Sequence, residues 1–208
     1  NYAFTMPSQP CWNLNTCDYP LPESVRSKYI SPLLCIFMDI VRSNIRELLR
    51  LVGNDSHRLR PHLKTTKTPE VWTQLIESGI SNFKCATLKE AEVLLKTLDA
   101  QKIHGDLLIA YPLVGPALSK AESLAKEFPN QTISILCESL EILPKIPTTL
   151  GVFIDINPGM NRTGIPIART DEILALIKSS GKQFRGVHHY EGHINSGSLK
   201  ARCDLAFP

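Results

Sequence analysis

The stretch RLRPHLKTTKTPEVW, residues 58–72, carries two periodicities in fifteen positions. Read at period two, Arg60, His62 and Lys64 fall on one side and Leu59, Pro61 and Leu63 on the other, which predicts a strand with one cationic and one apolar face. Thr68 and Pro69 then mark a helix start, a capping hydroxyl followed by proline at the first helical position. Trp72, Leu75 and Ile76 supply its buried stripe, and Gly79 ends it. A strand that feeds a helix is half of a β/α unit. Core strands read as Val, Ile and Leu, so three cationic or titratable groups on one face need a reason.

The same unit repeats outward from this point. Upstream, LLCIFM (33–38) predicts a short strand, and Asp39 a cap for a helix with Val41, Ile45, Leu48, Leu49 and Val52 on one stripe, closed by Gly53. Downstream, NFKCA, DLLIAY, TISILC, GVFIDIN and FRGVHHY predict strands. Between them, Thr87 to Glu90 is a capping box that opens LKEAEVLLKTL. Further helices are expected from about Pro116 to Phe128, briefly over SLEILPKI, and over TDEILALIKSSG. Alternation of this kind means parallel strands with crossover helices. A doubly wound sheet and a (β/α)8 barrel both satisfy it. The glycine-rich phosphate loop that usually marks the first is missing, with neither GxGxxG nor a Walker A sequence. A barrel needs eight strands, and six are counted from residue 58 onward. The expectation is an α/β fold, a TIM-type barrel truncated after about six strands, spanning 29–208 behind an extended lead over 1–28 rich in Pro, Asn and Ser.

Composition narrows the partners. The net charge of +3 is too small, and the basic residues too scattered, to indicate nucleic acid. SPLLCIFMDIV is too short to span a bilayer. The first twenty residues show no secretory pattern, so a cytoplasmic protein is expected, with no membrane partner. Six scattered cysteines without a Cys-x-x-Cys pair argue for free thiols, with Cys11 and Cys17 left open.

Polar residues gather where the strands end: Lys64, then Asn157, Met160, Asn161 and Arg162, then His189, Tyr190, Glu191 and His193. In a barrel this end carries the catalytic groups. A lysine buried among cations has a lowered pKa and becomes a nucleophile toward aldehydes; the alternative is that Lys64 and Lys67 are solvent-facing loop residues. His189 and His193 are four apart, which in an extended segment is about 13 Å and too far for one zinc ion. Cys85, Trp72 and Phe83 read as core.

RPHLKTTK, KCATLKEAEVL, DLLIAYPLVGP, INPGMNRTGI and GVHHYEGH, in this order, resemble the D-threonine aldolase and D-serine dehydratase group. These are fold-type III pyridoxal-phosphate enzymes, relatives of alanine racemase and its N-terminal barrel. The resemblance implies a lyase acting on small D-β-hydroxy amino acids. Lys64 would hold pyridoxal 5'-phosphate as a Schiff base and act on the substrate Cα. Arg162 would contact the cofactor ring or its phenolic oxygen, and Tyr190 would lie near ring and phosphate. His62, inward by strand alternation, joins them as a cofactor neighbour. An amino-acid racemase and a non-catalytic cofactor-binding protein are the alternatives. The resemblance also implies a homodimer. Relatives of this branch carry a divalent metal on a C-terminal β domain, for which no ligand can be placed in this chain. Two positions depart from the family: Thr66 stands where it often has His, and Asn157 where it often has Asp.

Overall fold

The structure, a computed structural model, describes residues 21–30, 32–195 and 197–206. Two units separate at Phe37/Met38. Of the first, the described part holds one short helix, α1 (Glu23–Arg26), closed by Ser27 donating to the Glu23 carbonyl. The extended lead expected over 1–28 lies mostly outside the described residues, as do Cys11 and Cys17. LLCIFM is not a strand: residues 33–37 form no ladder, and α2 (Met38–Leu51) already begins at the last residue of that run. Asp39 therefore sits inside the first turn, where it pairs with Arg42 at 2.9 Å.

The second unit follows the β/α alternation. It runs α3 (Pro69–Glu77), β1 (Asn82–Cys85), α4 (Leu88–Ala100), β2 (Asp106–Pro112), α5 (Gly115–Glu127), β3 (Thr132–Cys137), β4 (Gly151–Asn157), β5 (Ile165–Pro166), α6 (Thr170–Ser180), β6 (Phe184–His189) and α7 (Leu199–Ala206). Every strand pairing is parallel, in the order β1-β2-β3-β4, with β5 and β6 both against β4. SLEILPKI yields only a 3-10 turn at Leu143–Lys145. Neither β5 nor α7 shows in the sequence pattern.

Strand alternation sorts the side chains into two layers. Phe83, Cys85, Leu107, Ile109, Ile133, Ile135, Val152 and Ile154 face the helices, at no more than 2% exposure, and join the stripes of α3 to α6 in one apolar cluster. Each such side chain contributes about 1.5–3 kcal/mol relative to an exposed position. The opposite face carries Lys84, Leu108, Ser134, Leu136, Phe153 and Asp155. It is concave, because groups on strands that are not neighbours meet across it: Arg185 of β6 bonds Asp106 of β2 at 2.8 Å. Local signals in this frame act as read. Thr87 Oγ1 accepts from the Glu90 N–H, and Glu90 returns a carboxylate to the Ala86 N–H. Gly53 and Gly79 take φ of 71° and 84° just past their helices.

The opening stretch departs from expectation. RLRPHLK is not a strand. It makes one parallel bridge, His62 to Lys84, between 3-10 turns at Ser56–Arg58 and Leu63–Thr65. Pro61 has no N–H to donate, so it offers the ladder only its carbonyl, which accepts from the Lys84 N–H at 2.9 Å. Lys64 thus stands in a turn and not at a strand end.

Candidate active site

The cationic stretch does separate things residue by residue. Arg60 points into the concave face, low in the sheet. One guanidinium nitrogen donates to the Phe83 carbonyl (3.1 Å), the Asp106 carbonyl (2.8 Å) and the Asp106 carboxylate (2.9 Å), and the group lies over the Phe153 ring at 5.4 Å. Burial pushes the Asp106 carboxyl up, but the bonds from Arg60 and Arg185 outweigh it and hold the group below its usual range. Arg60 is a structural clamp. Lys67, at φ 50°, turns back to pair with the buried Glu90 at 3.2 Å.

His62 and Lys64 lie nearer the mouth. His62 is half-buried, and its Nδ1 accepts the Lys64 backbone N–H at 3.3 Å, capping the turn that carries the lysine. Burial, then Lys64 and Lys84, lower its pKa to about 4, against a smaller pull from Glu90. It is therefore a neutral acceptor near pH 7. Lys64 itself is exposed, and its ammonium lies 5.7 Å from the centre of the Tyr190 ring.

Tyr190, just past β6, is the focus of the site. Arg162 lies over the same ring at 5.0 Å and Lys84 at 5.9 Å. Arg162 is delivered by the loop between β4 and β5, which Asn157 organises. Its side-chain oxygen accepts from the N–H groups of Gly159 (2.9 Å) and Asn161 (3.0 Å), and its amide donates to Asn161 at 3.0 Å. An aspartate could make the first two bonds but not the third, which gives the departure at 157 a structural sense. The loop returns through Gly164 at φ +96°, whose N–H donates to Glu138. Thr66, the other departure, accepts from the indole of the buried Trp72 at 3.0 Å.

Three residues here escaped the sequence reading. Lys84 projects from β1 between the buried Phe83 and Cys85. Asp155 and His188 are register neighbours on β4 and β6, bonded at 2.7 Å and almost fully buried. Lys84 reaches across the concave face to His188, Nζ to Nε2, at 3.4 Å. Burial, with Lys64, Arg162 and Arg60 nearby, lowers the Lys84 pKa, Asp155 pulling the other way. The lysine anticipated among cations and out of solvent at 64 is thus at 84, where it is half-buried. A charged residue inside the apolar runs NFKC and VFIDIN was the available signal.

Elsewhere the core readings stand. Trp72 and Phe83 are buried, and burial pushes the Cys85 thiol up to about 12, where it is inert. His189 pairs with Glu191 at 2.7 Å. Among the described residues no three His, Cys, Asp or Glu side chains are grouped to hold a metal, and no helix is long and apolar enough to cross a membrane. A surface cleft lies at the opposite end of the strands, around Thr149, Lys182 and Arg185. The site is located by its converging side chains instead.

The arrangement belongs to a β/α barrel domain with an amine-rich mouth. Residues 36–203 match the alanine racemase N-terminal domain, and the chain belongs to that family. It is 26% identical over 206 residues, 91% of its length and 51% of the relative's, to a 3-hydroxy-D-aspartate aldolase of Paracoccus denitrificans. It is 24% identical over 172 residues, 78% of its length and 43% of the relative's, to a D-threo-3-hydroxyaspartate dehydratase of Delftia sp. strain HT23. The chain therefore spans about half the length of the curated relatives it matches. The solved D-threonine aldolase of Filomicrobium marinum shares the fold, with a TM-score of 0.66 at 24% identity over 81% of this chain and 47% of that one. The fold-type III pyridoxal-phosphate family indicated by the motifs, and the partial TIM-type barrel, are both borne out.

Proposed function

We propose that this chain carries the cofactor half of a pyridoxal-phosphate-dependent lyase that cleaves or dehydrates small D-β-hydroxy amino acids. The observation that carries this reading is the convergence of Lys64, Lys84 and Arg162 on the Tyr190 ring, all within 5.9 Å of its centre at the mouth of the sheet. The buried carboxylate of Asp155 is engaged by His188 through one oxygen, and its other oxygen has no partner among the described residues. The positive charge is left in excess, which suits a ligand with a phosphate and a phenolate. The residues present therefore fit pyridoxal phosphate.

Lys64 would anchor the group through its exposed amine, and Arg162 and Tyr190 would orient its ring. The cofactor, when bound, supplies an electron sink for bond cleavage at the substrate Cα. Lys64 Nζ would take or return a proton at that carbon. Neutral His62 keeps the Lys64 turn in place without adding charge. Arg162, held by the Asn157 loop, supplies a fixed donor at the mouth. The substrate names of the relatives, hydroxyaspartate in both curated cases, support the β-hydroxy amino-acid class. Homodimeric assembly belongs to the same reading.

Substrate turnover separates the possibilities. Purified protein loaded with pyridoxal phosphate is incubated with D-threonine, D-threo-3-hydroxyaspartate, D-serine and D-alanine, and carbonyl products, ammonia and L-alanine are assayed. A carbonyl product from a β-hydroxy substrate is expected. L-alanine from D-alanine would establish a racemase instead, and no turnover with cofactor bound would leave a cofactor-binding protein.

A further inference from the structure

Three groups on the concave face form a chain that the anchoring role of Lys64 does not use. Asp155 Oδ1 lies 2.7 Å from His188 Nδ1, and both side chains are at least nine-tenths buried. A carboxylate oxygen accepts, so the bond is written with His188 Nδ1 donating. His188 Nε2 is then the free end of the ring, and it meets Lys84 Nζ at 3.4 Å. Lys84 in turn faces Tyr190, the ring on which Lys64 and Arg162 also converge. An amine, a base within reach of it, and a carboxylate that orients the base are the parts of an activated nucleophile.

We propose that Lys84 is a second carbonyl-reactive amine of this site, activated through His188 and Asp155, and that it takes small aldehydes bearing an anionic group. The step balances without an oxidant or reductant. The Lys84 ammonium passes one proton to His188 Nε2, and the free amine adds to the aldehyde carbon. The proton on His188 then returns to the carbinolamine hydroxyl, which leaves as water as the C=N bond forms. His188 ends as it began, with Asp155 balancing its charge in between. Lowering of the Lys84 pKa by burial and by Lys64, Arg162 and Arg60 acts in the same direction. Lys64, Arg162 and Arg60 also make the surroundings attractive to the anionic group. A lyase of the kind proposed releases a carbonyl product in this pocket, so the inference deepens that reading, but the chemistry of Lys84 stands on its own geometry.

The test is reductive trapping with glyoxylate and cyanoborohydride at pH 7, with carboxymethylation followed by peptide mass mapping at Lys64, Lys84 and Lys200. Lys200 serves as the reference because its side chain is 84% exposed and lies on α7. Lys84 is expected to label at least as fast as Lys200 despite being half-buried. His188→Gln, which can accept from the ammonium but not take its proton, is expected to slow Lys84 roughly tenfold or more and leave Lys200 unchanged, a conservative fraction of a general-base effect. Asp155→Asn should act in the same direction. Wild-type Lys84 labelling well below Lys200 would overturn the proposal, with no dependence on how the variants fold. Labelling of Lys84 that is indifferent to His188→Gln would overturn the activation. The anchor assigned to Lys64 is read separately, from the pyridoxyl group fixed on its peptide by borohydride, so its failure leaves the Lys84 inference standing and the reverse.

Discussion

Gly164→Ala should damage the site through the backbone alone. Gly164 holds φ at +96°, and a Cβ there would lie 2.8 Å from Asn157 N, 2.8 Å from Ile156 C and 3.1 Å from Asp155 C. These are backbone atoms of β4, fixed by ladders on both sides, so the clash is not relieved by a rotamer change. The positive φ costs an alanine about 1 kcal/mol, and overpacking of this kind adds about 1–3 kcal/mol. The sum is about 2–4 kcal/mol, which lowers the melting temperature by roughly 5–15 °C in a domain of this size. Relief, if it comes, must move the loop that carries Arg162 and break the bond to Glu138. Gly53→Ala is the control, since φ is +71° there but nothing lies within 4 Å of the added atom; only the conformational cost of about 1 kcal/mol applies. Thermal unfolding by circular dichroism, with and without pyridoxal phosphate, compares the two. Equal melting temperatures for the two variants would refute the clash.

Three further outcomes follow from particular contacts. Arg60→Gln should destabilise by about 3 kcal/mol in urea titration, because it strips a charged partner from the half-buried Asp106. Since Asp106 has a depressed folded pKa, its contribution is present above the ordinary carboxylate pKa and lost as pH falls through the folded value, so the variant should show a flatter acid limb below about pH 4. His62 has the same sign in a higher pH window. With a folded pKa of about 4, only the unfolded chain binds its proton between about pH 6.5 and 4, so stability falls as pH falls through that window; His62→Gln should remove this component of the slope. Thr66→Val should cost about 1–2 kcal/mol by leaving the indole N–H of Trp72, at 2% exposure, without its acceptor, while Thr66→Ser should be nearly neutral in the same melts.

The parts legible in the sequence were those set by local chemistry. Alternating apolar runs, the Thr87 capping box and glycines past helix ends specify β/α units wherever they occur. The RLRPHLK stretch misled because period two is also what an irregular segment shows when its side chains have long-range partners. Arg60 reaches Asp106, 46 residues away, and no local pattern encodes that. Lys64, Arg162 and Tyr190 drew notice because they stand in recognisable motifs, and the fold sets Lys64 and Arg162 over the Tyr190 ring. Lys84 and Asp155 did not, since each is one polar position in an apolar run, and nothing local sets His188 apart from His189 beside it. Their meaning appears only when the sheet curls and brings β1 opposite β6. Asn157 and Thr66 read as departures from the family pattern, and each makes a specific bond in its loop.

The most direct test of the central claim is to load the protein with pyridoxal phosphate, record the visible spectrum, reduce with borohydride and map the modified peptide. A visible band that is lost on reduction, with the pyridoxyl group on the peptide bearing Lys64 and absent from it in Lys64→Ala, is the predicted result. No band, or a pyridoxyl group spread over exposed lysines such as Lys200 with none on Lys64, would contradict it.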